Sequence, residues 1–543
     1  MFPLIRFLLF LAFFSPLEAR ASNFIVTNSN DSGSGSLRAA ITEANANNEA
    51  DTISFANSLQ NETITLTSNE LRITSEINLL GFENSTLLIS GNSQRQVFDL
   101  TNSATVLIRN LTIRDGFSNS SGSGISNSGT LTLTNCTLSN HQGGPGAALF
   151  NAGGSLTLND CLIEDNISDD DAAVNSNGSG PNRINRCRFV GNRSDRNGGA
   201  FASFGPFTIS NSTFENNWAG LNGAALINAN TLDLINCTFL DNQAVISGGA
   251  IDNRGNLNAI NCTFSNNSAA SGAAIAARFG INLINCTLAN NNASGVSNIS
   301  SLSLSEIVNG FNGAESFVND NNLAAIETTG GLLTLAAGNF NIANTIFSNN
   351  TPQDIFAQNS TTIILNSTNL SSDNSFANLP NLINSNNLIP NTNPLLQPLA
   401  NNGGPVLTFA LLPTSPAIDA GSNNIINSAP LSIPTDARGV DRILTGLSSQ
   451  IVDLGAFEFT TQTFAPPVCL DIEFNNNNRA VLTIEGTPGT NYRLLSSQNL
   501  LFDNASILQT LTLDTNGQAT FIDPINPLPT QIFYQLQLLS PDS

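Results

Sequence analysis

A tetrapeptide of the form Asn-Cys-Thr-Phe recurs at a nearly constant spacing through the middle of the chain and limits the folds that the chain can adopt. Its second residue recurs at steps of 25, 26, 25, 25, 25 and 24 residues. These positions are Cys136, Cys161, Cys187, Ser212, Cys237, Cys262 and Cys286. A fixed period of this length is the signature of stacked, structurally equivalent units, so the sequence predicts a solenoid.

Two further positions keep the same phase as the cysteines. A large apolar residue lies two positions later, as in Phe239 and Phe264, and Asn lies five positions later in every unit except the first, which has His141. The Asn positions are Asn166, Asn192, Asn217, Asn242, Asn267 and Asn291. Residues two apart in a strand share a face, so Cys and the apolar residue should point inward, and the intervening Thr outward. The pattern predicts an all-β, right-handed parallel β-helix with about 25 residues per coil.

The recurring cysteines should form a ladder inside this β-helix. Neighbouring coils lie about 4.8 Å apart, but parallel side chains of equal orientation rarely reach the dihedral angle of a disulfide. Ser212 fills the same position, which a small interior residue can do and an obligatory disulfide partner cannot. Free, buried thiols are expected, with one or two disulfides as the alternative, and Cys469 lies outside the ladder.

Residues 1–21 have the features of a secretory signal peptide. Arg6 precedes an apolar run from Leu8 to Pro16, and Ala19-Arg20-Ala21 provides a small-x-small exit. No later stretch reaches the roughly 18 apolar residues of a membrane-spanning helix. The sequence therefore predicts an exported protein, extracellular or on the outer cell surface, with no transmembrane segment after cleavage.

The charge of the chain argues against nucleic acid as a partner. The net charge is −22, and all 18 cationic residues are arginine. An acidic chain with scattered arginines is repelled by phosphate backbones, whose binding requires clustered cations.

The β-helix repeats should occupy residues 105–390, although the period is interrupted between residues 300 and 345. Residues 22–104 should form an N-terminal cap and the first coils, with a short amphipathic helix within Ser36–Asn47 that covers the open end. Residues 391–462 are turn-dense and aperiodic and should form a C-terminal capping region. Residues 470–543 alternate in the manner of a small β-sandwich.

Several segments resemble parts of known bacterial surface proteins. The segment from Val26 to Asn45 resembles the N-terminal CSLREA region, with Gly35 in place of its leading Cys. Gly248–Ile251 and Phe239–Asn242 resemble the alternating Gly-Gly-Ala-Ile and Phe-x-x-Asn motifs of polymorphic outer membrane proteins. The motifs between residues 393 and 458 resemble a choice-of-anchor domain, with Ala437 where Gln is usual. The resemblance implies a β-helix fold and export, and it says little about activity.

Many parallel β-helices act on polysaccharides, so a catalytic site has to be considered. A site like that of polygalacturonase needs a His and an Arg-x-Lys motif, whereas this chain has one His and no Lys. A site like that of pectate lyase needs Asp residues that hold calcium and an Arg that acts as base. The weak candidates are Asp169, Asp170, Asp171, Asp195 and Arg196. The alternative is a charge-compensated turn in an irregular coil, and no metal site is predicted.

The other polar positions are interpreted as structural. His141 should be a satisfied turn histidine because no second His or convergent carboxylate accompanies it. The recurring Asn residues tolerate left-handed turn geometry and can hydrogen-bond along the stack. A last acid and base set, either an active centre or an ion-pair network of the capping region, contains Asp419, Asp436, Arg438, Arg442, Asp453 and Glu458.

Together these features favour an adhesin, or a scaffold that binds a glycan or another surface, with no catalysis and no cofactor. The outward rows of Thr, Ser and Asn would form its flat polar face, and the partner would be a polysaccharide or a host or cell-surface component. A calcium-dependent polysaccharide lyase using the cluster at 169–196 and a structural spacer of the cell envelope remain as alternatives. One Trp and two Tyr leave few aromatic platforms for sugar stacking. The ligand and the oligomeric state stay open.

Overall fold

The computed structural model describes most of the chain and divides it into two compact units, residues 1–207 and 208–543. The described residues are 21–46, 49–294, 329–335, 338–358, 360–426, 433–443, 450–460, 470–474, 480–485, 491–497, 506–512, 518–522 and 533–538. Residues 1–20 of the expected signal peptide, Cys469, and most of the expected interruption of the repeats lie outside them.

Each coil contains up to four short strands in a fixed order: a first strand, a second strand, a two-residue third strand and a fourth strand. Within each unit, successive equivalent strands pair in parallel from one coil to the next, for example Leu131 with Leu156 and Leu138 with Ile163. The two units together give about 12 turns of roughly 25 residues. The predicted right-handed parallel β-helix is therefore confirmed, and the two-residue third strand is a feature that the sequence pattern did not indicate.

In the first unit the strands follow this order from the N-terminus onward. The first strands are Asn23–Val26, Asp51–Phe55, Glu76–Leu80, Thr105–Arg109, Thr130–Thr134, Leu156–Asn159 and Asn182–Asn185. The second strands are Thr63–Thr65, Leu88–Ser90, Thr112–Arg114, Thr137–Ser139, Leu162–Glu164 and Arg188–Val190. The third strands are Phe117–Ser118, Gln142–Gly143, Ile167–Ser168 and Arg193–Ser194. The fourth strands are Leu71–Ile73, Phe98–Leu100, Ile125–Asn127, Leu149–Asn151, Val174–Ser176 and Phe201–Ser203.

The second unit repeats the arrangement, and its earliest strand begins at the unit boundary. The first strands are Phe207–Ser210, Thr231–Ile235, Asn256–Ile260, Ile281–Ile284, Gly338–Ala343, Thr361–Leu365 and Leu382–Ile383. The second strands are Thr213–Glu215, Thr238–Leu240, Thr263–Ser265, Thr287–Ala289, Ile346–Ser348, Asn369–Ser371 and Leu388–Ile389. The third strands are Trp218–Ala219, Gln243–Ala244, Ser268–Ala269 and Asn292–Ala293. The fourth strands are Leu226–Asn228, Ile251–Asn253, Ile275–Ala277, Leu332–Thr334 and Ile355–Ala357.

The turn between the first and second strands explains the Asn of the repeated tetrapeptide. Asn236 and Asn261 have φ of 53° and 54°, in the left-handed region. Asn adopts this conformation more readily than most L-residues, since its short polar side chain can hydrogen-bond locally. The turn aims the next side chain, Cys237 or Cys262, into the interior. One residue type therefore fixes the corner at which the chain enters the second strand.

The predicted helix near the N-terminus is present as α1, Leu37–Ala44. Ser36 caps it by accepting a hydrogen bond from the backbone N–H of Ala39 at 3.2 Å, and Leu37, Ile41 and Ala44 are buried. The other helices of the described residues are α2, Asn423–Ile426, and the 3₁₀ turns Asn57–Leu59, Ser375–Asn378 and Ser385–Asn387. Among the described residues no helix is long and apolar enough to cross a membrane.

The segment expected to cap the C-terminal end lies instead along the side of the second unit. Its residues 405–459, which we call the flank segment, include the second strand, Thr408–Leu411, of an antiparallel hairpin whose first strand is Leu396–Ala400. Its Leu407 carbonyl accepts a hydrogen bond from Thr238 Oγ1 at 2.7 Å, and its Ala456 N–H donates to Thr287 Oγ1 at 3.2 Å. The flank segment thus covers several successive second strands.

This cover corrects one expectation about the threonines of the repeat. Thr238, Thr263 and Thr287 do point out of their coils, yet their exposed fractions are 0%, 1% and 2%. Apolar contacts seal the same surface, because Ala417, Leu454 and Phe457 belong to one core cluster with Ile346 and Leu370 of the coils. The outward threonines of the second unit therefore do not form an open polar face.

The C-terminal part of the second unit contains two antiparallel sheets of three strands each. One holds Leu470–Phe474, Ala480–Glu485 and Gln518–Ile522, and the other holds Asn491–Ser497, Ser506–Thr512 and Phe533–Leu538. Leu482, Ile484 and Phe521 of the former share a core with Leu494 and Leu511 of the latter. The predicted small β-sandwich is present.

Candidate functional site

The recurring Asn side chains form hydrogen-bonded ladders inside the coils. In the second unit the backbone N–H and the Nδ2 of Asn242 both donate to Oδ1 of Asn267, at 3.1 and 2.9 Å. Nδ2 of Asn242 also donates to the Phe214 carbonyl at 3.0 Å. The same pattern continues through Asn291 to Asn350 and ends on the Asp354 carboxylate. In the first unit Asn166 donates to Asn192 in the same way. All these amides are buried, so they hold the coils together and do not face a ligand.

His141 occupies the Asn position of its coil and makes the equivalent contacts. Its Nδ1 accepts the Gly116 backbone N–H at 2.9 Å, and its Nε2 lies 3.0 Å from the Ile113 carbonyl. A neutral imidazole with its proton on Nε2 satisfies both contacts. Burial lowers the pKa of His141 to about 4. This histidine is a neutral structural residue.

The six recurring cysteines are all buried and unpaired in disulfides. The Cys237 thiol donates to the Ile235 carbonyl at 3.4 Å, and Ser212 makes the same contact with Ser210 at 2.7 Å. A hydroxyl can therefore replace the thiol without changing the turn. Burial and, to a smaller extent, the adjacent thiols raise the pKa of Cys262 well above its ordinary value. The raised pKa keeps this thiol protonated and unreactive.

The candidate lyase residues lie in the turn after two neighbouring third strands of the first unit. The register pairs Ser168 with Ser194, so Asp170 stands opposite Arg196, and their side chains approach to 3.4 Å. Arg193 pairs with Asp195 at 3.0 Å, and Asn197 donates to Asp171 at 3.1 Å. Both ion pairs are exposed, which limits each to about 1 kcal/mol or less.

The three carboxylates of Asp169, Asp170 and Asp171 do not converge. Burial and, to a smaller extent, the negative charge of Asp170 raise the pKa of Asp171. Asp169 is exposed. Within the part of the chain that the structure describes, no group of three or more His, Cys, Asp or Glu side chains is arranged to hold a metal ion. The arrangement is that of a charge-compensated turn.

A second charged set, which the sequence pattern did not reveal, lies on the fourth strands of the second unit. Asp252 is fully buried between Arg254, at 2.7 Å, and Arg278, at 3.3 Å. Burial by itself would raise the pKa of Asp252, but the two guanidinium charges outweigh it and hold the pKa below its ordinary value. In the sequence, the sign of this set was an isolated Asp, Asp252, at an outward strand position. The set forms a closed ion-pair triad.

The acid and base set of the flank segment forms a buried network against the coils. Arg442 is completely buried and donates to Asn261 Oδ1 and to the Gly455 carbonyl, both at 2.8 Å, while Glu458 lies 3.4 Å away. Arg438 pairs with Asp436 at 2.7 Å and lies 3.6 Å from the Phe457 ring centre. The network joins the flank segment to the repeats.

The pKa values of two carboxylates in this network, those of Glu458 and Asp453, are raised. Burial raises the pKa of Glu458 to about 9 and that of Asp453 to about 7, and each carboxylate lies in a cluster with more acids than arginines. Asp453 accepts hydrogen bonds from the backbone N–H groups of Asp419 and Phe459. These contacts leave the set inside the packed interface, where it supports the fold.

An outward row of amides on the first strands of the second unit is the best candidate for a binding face. The row, which we call the amide row, consists of Asp233, Asn258, Asn282 and Asn341 at equivalent strand positions, and it ends on Asn366. Asn366 follows the strand Thr361–Leu365, in which Ile364 lies opposite Asn341. Each Asn donates from Nδ2 to the preceding side chain, at 2.7, 2.6, 2.8 and 3.3 Å in turn. The first four side chains are half-exposed and Asn366 is exposed. The flank segment packs Ile426, Ile433 and Val452 against Ile260, two residues from Asn258, whose side chain stays half-exposed.

The comparison with family models agrees with the fold. The model of a family described as a right-handed beta helix region matches residues 19–239. No curated protein matches the chain by sequence. Among solved structures the chain is similar to a PL6 family alginate lyase, AlyGC, with 13% identity and a TM-score of 0.33. That match covers 82% of this chain and 60% of the lyase chain.

Proposed function

We propose that this protein is exported and acts as a surface β-helix scaffold that binds a polysaccharide or another cell-surface component through the amide row. The observation that carries the proposal is the regular, half-exposed line of amides along the first strands of the second unit. Its first four members follow the coil spacing of about 4.8 Å. A repeating polymer can meet such a face with one contact per coil.

The chemistry of the amide row favours a neutral glycan over an acidic one. An amide has two N–H donors and two acceptor lone pairs, and the row uses one donor and one acceptor of each central Asn internally. The remaining groups can bind sugar hydroxyls. A chain with a net charge of −22 repels polyanions, and only Asp233 carries charge within the row.

Export is supported by the signal-peptide features of residues 1–21. The resemblances to the CSLREA region, to polymorphic outer membrane proteins and to a choice-of-anchor domain support display at a bacterial surface. We place the adhesin function ahead of a lyase because the candidate acids at 169–171 are not arranged to hold a metal ion in the described part of the chain, and Arg196 beside them is exposed and paired with Asp170.

Binding of the purified protein to an array of neutral and acidic glycans tests the proposal. Replacing Asn282 by Arg puts a long charged side chain into the centre of the amide row, and we expect affinity to fall roughly tenfold or more. Thr132→Arg is the matched control because Thr132 occupies the same strand position in the first unit and is also half-exposed. Equal binding by wild type and Asn282→Arg would contradict the assignment of the face.

The lyase alternative has a separate readout. Incubation with alginate, pectate and other uronate polymers in the presence of calcium would release unsaturated uronate products if the cluster at 169–196 were catalytic. Product formation that Arg196→Ala abolishes, and that Arg193→Ala leaves intact, would replace the adhesin proposal.

A further inference from the structure

Asp51 is a buried carboxylate with an unfilled hydrogen-bonding position near the start of the β-helix. It opens the strand Asp51–Phe55 and is 0% exposed. Its Oδ1 accepts the backbone N–H of Ser22 at 2.7 Å, whereas its Oδ2 is buried without a hydrogen-bond partner in the described part of the chain. A buried carboxylate that lacks a cation costs several kcal/mol, so this site calls for a positive charge.

The nitrogen of Ser22 is held beside Asp51 by the strand pairing. The strand Asn23–Val26 pairs in parallel with Asp51–Phe55, with Asn23 opposite Thr52. The Thr52 N–H also donates to the Ser22 carbonyl at 2.9 Å. Ser22 therefore forms part of the ladder, and its nitrogen stays in place through backbone contacts that do not involve residues before it.

The same nitrogen follows the small-x-small sequence Ala19-Arg20-Ala21, which is the form of a signal peptidase site. We propose that cleavage between Ala21 and Ser22 converts the Ser22 amide into an α-ammonium that forms a buried ion pair with Asp51. Water hydrolyses the peptide bond under a signal peptidase, the carboxylate leaves with Ala21, and the Ser22 nitrogen takes up protons to become –NH₃⁺.

An ammonium suits this site better than an amide. The amide has one hydrogen, already directed at Oδ1 of Asp51. The ammonium has three, so it can bond Oδ1 and also supply a donor for Oδ2, and charge-assisted bonds of this kind are about twice as strong as neutral ones. Because an α-amine has a pKa of about 8, it is charged near neutral pH even before Asp51 stabilises it. Processing thereby stabilises the first coil of the exported chain.

The composition of the chain provides a selective test. Since the sequence contains no lysine, the α-amine is the only primary amine of the processed protein. The exported protein is purified, its first residue is determined by mass spectrometry, and its rate of carbamylation by cyanate is measured in native buffer and in urea. The variants are Asp51→Asn and, as the matched control, Glu43→Gln, which removes an exposed carboxylate from α1.

We expect a chain that begins at Ser22 and reacts roughly tenfold more slowly than Asp51→Asn in native buffer, because the ion pair keeps the amine protonated. Glu43→Gln should react like the wild type, and all three rates should converge in urea. Equal native rates for wild type and Asp51→Asn would overturn the ion pair.

A further variant separates the remaining outcomes. A glycine inserted between Ala21 and Ser22, with cleavage after Ala21, moves the amine about 3.8 Å along the chain and leaves Asp51 in place. It should react as fast as Asp51→Asn, and it carries the test if Asp51→Asn does not fold. The inference rests on the proposed export. A chain that starts elsewhere than Ser22 contradicts this cleavage site, whereas a chain that starts at Ser22 with an unprotected amine contradicts the ion pair and leaves export intact.

Discussion

His141 shows how one side chain replaces another within a hydrogen-bonded ladder. Each ladder Asn accepts a hydrogen bond with Oδ1 and donates one from Nδ2 to a carbonyl about 28 residues earlier, as Asn166 does to Leu138. His141 reproduces the acceptor with Nδ1 and the donor with Nε2, directed at Ile113. The larger ring fits because Gly116 and Gly124 lack a Cβ, which would lie 2.5 and 2.8 Å from ring nitrogens.

This arrangement makes the first unit sensitive to acid. The pKa of His141 falls from 6.5 in the unfolded chain to about 4 in the folded one. The folded state therefore binds fewer protons, so the contribution of His141 is present above pH 6.5 and is lost as the pH falls towards 4. The loss approaches about 3 kcal/mol. We expect His141→Asn, which keeps the donor and acceptor but cannot be protonated, to remove this acid dependence in urea unfolding measured at several pH values.

A His141→Asn variant that loses stability on acidification as steeply as the wild type would contradict this origin. Control measurements on Gln142→Asn, an exposed neighbour, correct for the general effect of acid on the carboxylates.

At the scale of the coil, the pattern of Cys, Phe and Asn was sufficient to predict the strand that they share. Phe214, Phe239 and Phe264 stack with ring centres 5.0 and 4.8 Å apart, which is the coil spacing that the period requires. The fourth strand was less visible, because its buried positions vary among Asn, Ser and Ala. Asn228 and Asn253 nevertheless form a second internal contact there, at 2.7 Å.

An Asn→Asp change should destabilise the protein far more in the buried Asn ladder of the second unit than in the turn between the first and second strands. Asp at position 242 would replace the Nδ2 donor with an acceptor that faces Asn267 Oδ1 and the Phe214 carbonyl, and it would bury a charge. We expect a loss of about 3 kcal/mol or more in the free energy of unfolding. Asn236→Asp is the matched control. Asn236 is half-exposed in its turn, and a loss within about 1 kcal/mol is expected there. Similar losses for both variants would contradict the ladder.

At the scale of the whole molecule, the flank segment marks where sequence reasoning failed. Thr238 and Thr287 have the alternation of solvent-facing positions, but the flank segment buries them. Its sequence is rich in turns and has no period, so nothing in it indicated which surface of the coils it would cover. For the same reason the acids and arginines at 436–458 could be identified as a network from the sequence, but Asn261 could not be identified as a partner of Arg442.

The amide row could not be predicted from the sequence for the same reason. The sequence suggested polar rows of Thr, Ser and Asn in general, whereas only the path of the flank segment decides which rows stay open. The amide row lies on first strands, whose central outward residue varies widely along the chain and includes Leu107, Thr132, Arg183 and Ile364 beside the Asp and Asn of the row. Its hydrogen-bonded order is a property of stacking that one coil alone does not reveal.

Because of the buried carboxylates of the flank segment, we expect the protein to lose stability at alkaline pH. The pKa of Glu458 is raised from 4.5 to about 9, so its contribution is fully present below pH 4.5 and is lost as the pH rises towards 9. We expect the flank segment to become more susceptible to proteolysis between about pH 6 and pH 9, and its melting temperature to fall by roughly 5 °C. Glu458→Gln, which stays neutral, should flatten this dependence.

Limited proteolysis followed by mass spectrometry locates the cuts within residues 405–459. Glu215→Gln is the control because Glu215 lies on a second strand outside the flank segment. Cleavage that increases equally with pH in wild type and Glu458→Gln would contradict the assignment to this carboxylate.

The inner ladder of the second unit also has a direction. Every amide donates towards the later coil, so the side-chain dipoles add head to tail, and the run ends at Asp354, whose carboxylate accepts from Asn350 and has no hydrogen to pass on. The run of amide donors therefore terminates at this carboxylate. Further coil strands, such as Thr361–Leu365 and Asn369–Ser371, follow Asp354, so the run of amide donors ends before the coils do. Whole coils can be inserted or deleted before Asp354 without changing the direction of the donors, so the number of coils in this part of the chain can change by duplication in evolution.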